Sequence, residues 1–444
     1  MRTITKRKGW LAMMLVTIML AVTACGGNSN TNNNAASSSP VASSAGSASP
    51  SAADSDKKIT LKLAMWDTNN AFITYLTEKV KEYSSVKPNV TVEVESFKND
   101  GDYLQAMKVR NSANALPDIF ELKPNFLNDF KDELEPLDDQ SFISTNMYAK
   151  KFAIDGKVLA VPTVSFPELV YYHPSVFKEL NLTVPTTWPQ FLDVLKKIKD
   201  NSKYIPYAMG GKDGWPNYPF NEFMPLLVSG SETYLSDIAK EDAPFAEGTP
   251  FYKSFSLIDQ LYSAEVMGPD PLGVSWDQAT GLFESKKAAI VAAGLWYLAA
   301  YQSKVGNTDD LAAFPLPYRE DESQPLKVMT FTDHFYGINK SSANVAAAKE
   351  FMTWFYSPEV YQTYIDTAQI GSAFEGISAN VPFLTDFYAN NKVEAHTYLP
   401  GDAAYTSRSN GIQLDWKKLG QEMMAGKKLS DIAKETNDKW AKAK

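Results

Sequence analysis

The sequence is short of the residues that carry most covalent and metal chemistry. It has one cysteine, Cys25, so no intramolecular disulfide forms and no cysteine cluster is available for structural zinc or an iron–sulfur centre. Its three histidines, His173, His334 and His396, share no HExxH or HxH spacing, which removes the usual histidine-based metal sites. A GxSxG nucleophile elbow, a phosphate-binding GxxxxGK[ST] loop and a GxGxxG turn after the first strand are all absent. Basic residues are in deficit, 43 against 52 acidic ones for a net charge of −9, so the basic face that nucleic acid requires is missing. No catalytic residue, metal or cofactor is therefore expected, and no nucleic-acid partner. Carboxylates are abundant, and a glycan hydrolase needs only two of them, so that alternative stays open at this point.

What is present begins at the N-terminus. Arg2, Lys6, Arg7 and Lys8 precede an uncharged apolar run from Trp10 to Ala24, the pattern of an export signal and too short for a comfortable membrane span. Val22-Thr23-Ala24-Cys25 resembles a bacterial lipobox, which makes residues 1–24 a signal peptide and Cys25 the lipidated residue. Residues 26–57 are almost entirely Gly, Asn, Ser, Ala, Thr and Pro. Such a stretch has too little apolar surface to offset its ordering entropy, so 25–57 reads as a lipidated, disordered tether. Removing 1–24 takes away four positive charges and no acid, leaving 39 basic against 52 acidic residues and a net charge of −13.

The texture changes at Ile59. Ile59, Leu61, Leu63 and Met65 alternate as in a strand; Phe72, Leu76, Val80 and Tyr83 recur at helical spacing and stop at Lys87-Pro88-Asn89; Val90, Val92 and Val94 form a second strand. A helical stretch over 103–114 leads to the apolar segment 116–120. This order predicts an α/β domain with a largely parallel sheet. Thr187 with Gln190 predicts a capped helix start, with Pro189 in its first turn. Further helices are predicted over 251–265, 278–285, 343–356, 412–424 and 430–441, and 201–230 reads as rich in loops. With 444 residues the chain exceeds one ordinary core.

Aromatic residues are the distinctive excess, with tryptophan beside polar groups at Trp66-Asp67, Trp215-Pro216-Asn217, Trp276-Asp277 and Gly294-Leu295-Trp296. A sugar ring has an apolar C–H face and an edge of hydroxyls, so a carbohydrate site wants flat aromatic faces flanked by carboxylates and amides. Trp188, Trp354, Trp416 and Trp440 sit on helical faces and are assigned to packing.

Gly156-Lys157-Val158-Leu159-Ala160-Val161-Pro162, then Leu169-Val170-Tyr171-Tyr172-His173-Pro174-Ser175-Val176-Phe177, then Thr187-Trp188, resembles in order and spacing the family 1 extracellular solute-binding proteins, a maltose-binding-protein-like group. Phe283-Glu284-Ser285-Lys286-Lys287-Ala288-Ala289-Ile290 with Gly294-Leu295-Trp296, Phe314-Pro315-Leu316-Pro317, and Tyr336-Gly337-Ile338 with Ala347-Ala348-Lys349-Glu350-Phe351 are similar to later segments of that family. His173-Pro174 and Ser285 depart from its usual Asn-Lys and Gly.

The resemblance implies a two-lobed clamshell of the periplasmic-binding-protein type. Each lobe is a mainly parallel sheet flanked by helices, and a hinge crossed several times, near 163–166, 316–319 and 370–375, joins them. The N-terminal lobe is expected at 58–164 plus 318–371 and the C-terminal lobe at 165–317 plus 372–444. Ligand-binding residues implied by matched position are Trp66, Asp67, Glu121, Trp215, Trp296, Asp333 and His334. Trp215 and Trp296 are expected to stack on sugar faces, and Asp67, Glu121 and Asp333 to accept hydroxyl hydrogen bonds. Asp118 either caps its strand end or binds, and His173 reads as structural. The implied protein is a monomeric, lipid-anchored sugar-binding component of an ABC importer on the outer face of the cell membrane. It would hand a carbohydrate, an oligosaccharide, to permease subunits that span the membrane. A lipoprotein serving a sensor kinase is the alternative of the same binding class.

Overall fold

Alternation at 59–63 gives way to continuous burial at 64–66, and the strand formed there, β1 (Ile59–Trp66), behaves accordingly: Leu61 and Leu63 are buried, Thr60 and Lys62 exposed, and Ala64, Met65 and Trp66 covered on both faces. The computed structural model describes residues 57–66, 70–379 and 381–443. The signal segment, Cys25, the tether through residue 56, and Asp67 lie outside the described residues. β2 (Val90–Phe97) and β3 (Ile119–Leu122) flank β1, both parallel to it. Parallel neighbours need crossovers, and helices Asn70–Val86 and Asp100–Ser112 supply them. Asn99 starts the second by accepting the Asp102 N–H at 2.8 Å.

Two long strands then carry the chain between sheets. β4 (Ala160–Tyr172) and β8 (Leu326–Ile338) pair antiparallel along 160–167 and 330–337. Below Thr330, β8 leaves β4 and pairs with β9 (Val393–Thr397), whereas its upper end, from Phe335, pairs with β3. Beyond Pro167, β4 lies between β6 (Ala288–Gly294) and β7 (Ala312–Pro315), and β5 (Ile205–Tyr207) runs parallel to β6. The strand order is β2-β1-β3-β8-β4-β6-β5. The ladders are mixed, parallel at β1–β2, β1–β3, β5–β6 and β8–β9 and antiparallel wherever β4 or β8 crosses from one half to the other.

A third pass of chain lies against the crossing. Ser165 N–H donates to the Gly371 carbonyl at 2.9 Å, and Val164 bridges Ser372. Residues 316–319, expected at a second crossing, instead pack beside helix Trp188–Asn201. Arg319 Nε donates to the Thr186 carbonyl at 2.7 Å, and the Trp188 N–H donates to the Arg319 carbonyl at 2.8 Å. β8 itself runs from β9 at its lower end to β3 at its upper end.

The capping box predicted at Thr187 and Gln190 is present, with Pro189 in the first turn, and the helix buries Trp188, Phe191, Leu192, Leu195 and Ile198 in the second-half core. β6 is buried along its whole length. His173 is fully buried, stacked on Phe283 at 4.2 Å, with one ring nitrogen 2.9 Å from the Asp310 carbonyl and the other 2.8 Å from that of Phe283. Asp118 holds local structure, accepting from the Lys62 N–H at 2.7 Å and from the hydroxyl of Ser342. Among the described residues no helix is long and apolar enough to cross a membrane.

Candidate functional site

Two groups of side chains converge on the crossing of β4 and β8. The first is built at the upper end. Trp66 closes β1, Glu121 lies in β3, and Asp333 and His334 are in β8. His334 has a left-handed backbone, φ 53°, which interrupts the β4–β8 ladder opposite Thr163. Its ring hydrogen-bonds one oxygen of Glu121 and stacks on Trp66 with ring centres 5.8 Å apart and planes inclined by 16°. The other Glu121 oxygen accepts the Trp66 N–H at 2.9 Å, and Asp333 accepts the His334 N–H at 2.9 Å. Lys123 Nζ lies 5.5 Å from the Trp66 ring centre. Glu121 is fully buried, so it secures Trp66 and His334 from behind.

The second group is an aromatic corner. Trp215 opens a short turn after Gly214, whose φ of 74° a side chain would strain. Trp276 is the first residue of helix Trp276–Glu284, set by a Ser275–Gln278 capping box and by Asp213, which accepts its N–H at 2.7 Å. Trp296 follows β6. The ring centres of Trp215 lie 4.9 Å from Trp276 and 6.0 Å from Trp296, and those of Trp276 and Trp296 lie 5.7 Å apart. Interplanar angles of 51–54° set the three rings at a tilt to one another in one aromatic corner. Trp215 remains 38% exposed. Tyr218 ties the corner to the strands: its hydroxyl accepts from Trp296 Nε1 at 3.4 Å and the Gly294 N–H at 3.3 Å, and donates to Glu168 at 2.6 Å.

Between the groups the floor is Phe166 against Phe331, with Phe223 and Tyr398 packed on Phe331. From Tyr398 a cavity of about 310 Å³ continues between Asn125, Phe126 and Asp129 on one side and Glu222 and Lys417 on the other. A neighbouring cavity of about 440 Å³ lies between residues 124–155 and the loop at 399–404. Lys151 spans the two halves there, 3.1 Å from Glu232.

Of the residues singled out from the sequence, Trp66, Glu121, Asp333 and His334 come together in one group, and Trp215 and Trp296 in the other. Sequence reasoning misses Tyr218, Glu168, Glu222 and Tyr398, and notices Trp276 without placing it. The usable signals are an acid inside an apolar strand, Glu168, and a Ser275–Gln278 capping box that fixes where Trp276 points. Trp188, Trp416 and Trp440 are buried in the second-half core, in agreement with their assignment to packing, and Trp354 packs against Tyr83.

Two acids here hold protons far above their ordinary value of 4.5. Burial pushes Glu121 up to about 7, against the pull of His334. Burial likewise pushes Glu168 up to about 8, aided by Asp333 and Glu222 and opposed by the Tyr218 hydroxyl. The native state thus keeps protons that the unfolded chain has released, so stability is fullest below pH 4.5 for these groups and falls as pH rises through 7 and 8. His396, whose value burial lowers, acts oppositely, but only below its ordinary 6.5. Denaturant unfolding followed at about pH 6.5 and about pH 9 is expected to show a loss of a few kcal/mol at the higher pH. Glu121→Gln with Glu168→Gln is expected to flatten that slope; an unchanged slope would refute the assignment.

A family model for bacterial extracellular solute-binding proteins matches residues 68–362. The multiple sugar-binding protein of Streptococcus mutans is 21% identical over 345 residues, 74% of this chain and 79% of its own. The melibiose/raffinose/stachyose-binding protein MelE of Bacillus subtilis is 21% identical over 396 residues, covering 85% of this chain and 88% of its own. Among solved structures, a binding protein of an ABC transporter from Bifidobacterium animalis subsp. lactis, in complex with mannobiose, superposes with a TM-score of 0.74 at 19% identity. That match covers 88% of this chain and 95% of the other.

Proposed function

The chain belongs to the bacterial extracellular solute-binding protein family, and from that premise we propose that it is the lipid-anchored substrate-binding component of an ABC importer, capturing an oligosaccharide between its lobes and delivering it to the permease. The observation that carries the carbohydrate part is the corner of Trp215, Trp276 and Trp296. Three tilted indoles beside buried carboxyls suit a ligand with several C–H faces and hydroxyl edges. Relatives of like length are named for multiple sugars and for raffinose-type oligosaccharides, which supports the same class.

In this reading the indole faces of Trp215, Trp276 and Trp296 stack on sugar rings. Asp333 and His334 meet hydroxyls, Asp67, which lies outside the described residues, is proposed to do the same, and Glu121 holds the Trp66–His334 pair in place. The lobes follow the expected bounds, 58–164 plus 318–371 and 165–317 plus 372–444, except that the second passage between them falls within β8, near Thr330, instead of at 317–318. Ligand contacts with both lobes favour the closed form, and the change of shape is what a permease recognises. Cys25 carries the lipid after removal of 1–24, and the tether leaves a monomeric binding unit free above the outer face of the membrane.

Calorimetry of residues 58–444 against raffinose, stachyose, mannobiose and their monosaccharides is expected to show saturable binding of an oligosaccharide. Binding of a non-sugar solute with no response to any sugar would remove the carbohydrate assignment. Incorporation of labelled palmitate in cells, lost in Cys25→Ala, checks the anchor independently.

A further inference from the structure

β4 changes partners between Pro167 and Glu168. Pro167 is still opposite Thr330 of β8, and Glu168 is already opposite Gly294 of β6. The one acid in the strand's apolar run therefore stands at the joint between the two halves, 2% exposed. One of its oxygens takes the Tyr218 hydroxyl at 2.6 Å, and the other, Oε1, is buried without a hydrogen-bond partner. A buried acceptor left without a donor is costly, so its presence at this joint calls for a reason.

We infer that Glu168 is a positioning residue of the aromatic corner, acting through Tyr218 to fix Trp296 and the end of β6. The chain of contacts is short. Glu168 orients the Tyr218 oxygen; that oxygen receives Trp296 Nε1 and the Gly294 N–H; and Gly294 leaves room for the indole, since a Cβ there would sit 2.5 Å from Trp296 Cδ1. Tyr218 also lies against Trp215, ring centres 6.3 Å apart and planes inclined by 25°, so two of the three rings depend on one phenol. A ligand-binding role for the corner is not needed for this inference, which rests on the proposed function only for its biological meaning.

The charge state of the carboxyl is the handle. The groups that face it are the Tyr218 phenol, Glu222 just beyond it, Asp333 from β8 and Tyr171 on its own strand. A proton on Glu168 relieves its repulsion with Asp333 and Glu222; loss of that proton leaves a buried carboxylate with one unsolvated oxygen, and the joint must loosen or admit water.

The test uses ligand-free protein. Tryptophan fluorescence titrated from about pH 6 to about pH 10, with all chains carrying Glu121→Gln to remove the other titrating carboxyl beside Trp66, is expected to show a transition near pH 8 where Glu168 is kept. It should vanish in Glu168→Gln, whose amide oxygen still accepts from Tyr218, and shrink in Trp296→Phe. Glu168→Leu is expected to alter near-ultraviolet circular dichroism in the tryptophan region and raise quenching by acrylamide, with far-ultraviolet spectra unchanged in all variants. A transition that persists in Glu168→Gln, no transition where Glu168 is kept, or a Glu168→Leu spectrum that superposes on that of the chain keeping Glu168 would each overturn the inference. Sugar binding could fail entirely without touching any of these readouts.

Discussion

Replacing Gly371 by alanine is expected to destabilise the folded chain by about 3 kcal/mol or more, and replacement by valine to prevent stable folding. The residue lies where a third pass of chain presses on the β4–β8 crossing. A Cβ at this position would overlap the Ser165 carbonyl oxygen and come within 3.3 Å of Phe166 Cα. Both are backbone atoms of a strand already bonded to β8, so neither yields as a flexible side chain would. The following residues are also fixed: Ala373 N–H donates to the Tyr361 hydroxyl at 3.1 Å, and that hydroxyl donates in turn to the Thr163 carbonyl. Separation of the segment would break the Ser165–Gly371 bond and the Val164–Ser372 bridge together. Gly376→Ala is the comparison, because that glycine has φ 75° but nothing within 4 Å of the place a Cβ would take, and its cost is limited to about 1 kcal/mol of backbone strain. Denaturant unfolding of the three variants checks the ranking; equal losses at 371 and 376 would rule the close approach out as the cause.

Local signals are the ones readable in advance. The alternation of β1 and β2, the Lys87-Pro88-Asn89 stop and the Thr187–Gln190 capping box each depend on residues a few positions apart, and each appears in the structure where the pattern puts it. The through-going strands are harder to see. β4 contains Pro162 and Pro167, residues that remove ladder donors and ordinarily demote a strand, and its pairing partners lie at least 118 residues away, the separation of Tyr172 and Ile290. The crossing point within β8 depends on which neighbour the strand has at Thr330, a tertiary choice with no local signature. Arg319, by contrast, anchors its segment through backbone carbonyls, one of them at the start of another helix, which a one-dimensional pattern does not reveal.

The same division holds at the site. Residue types betray the tryptophans, because aromatic surface beside loops and strand ends is unusual, but not their grouping. Trp276 joins Trp215 and Trp296 only because Asp213 and the Ser275 cap direct the start of its helix. Glu121 and His334 read as separate candidates in the sequence, whereas their significance lies in being partners of each other across 213 residues. The left-handed turn at His334, in the middle of a strand, is a conformational outlier that sequence periodicity smooths over.

Removing both Trp215 and Trp296 by alanine substitution is expected to weaken oligosaccharide binding by more than about 100-fold. Each ring offers a face worth about 1.5–3 kcal/mol on burial against an apolar sugar surface, which is about 10- to 100-fold in affinity. The two single losses should not simply add, because the rings lie 6.0 Å apart and each supports the other's position. The variants differ in what else they disturb. Trp215→Ala removes a ring that is 38% exposed and is expected to lower stability less than Trp296→Ala does. Trp296→Ala also empties part of the corner and frees one acceptor site on Tyr218, so it should lower stability as well as affinity. Trp215→Phe, which keeps a flat apolar face, should restore most of the single-site loss. Trp354→Ala is the control: that indole packs on Tyr83 and Phe351, away from the corner, and its loss should lower stability without changing affinity in the folded fraction. Calorimetric titration with the best-bound oligosaccharide, paired with unfolding curves, separates the two effects. Native affinity in Trp215→Ala would place the ligand elsewhere, with the cavity between residues 124–155 and 399–404 as the next region to mutate.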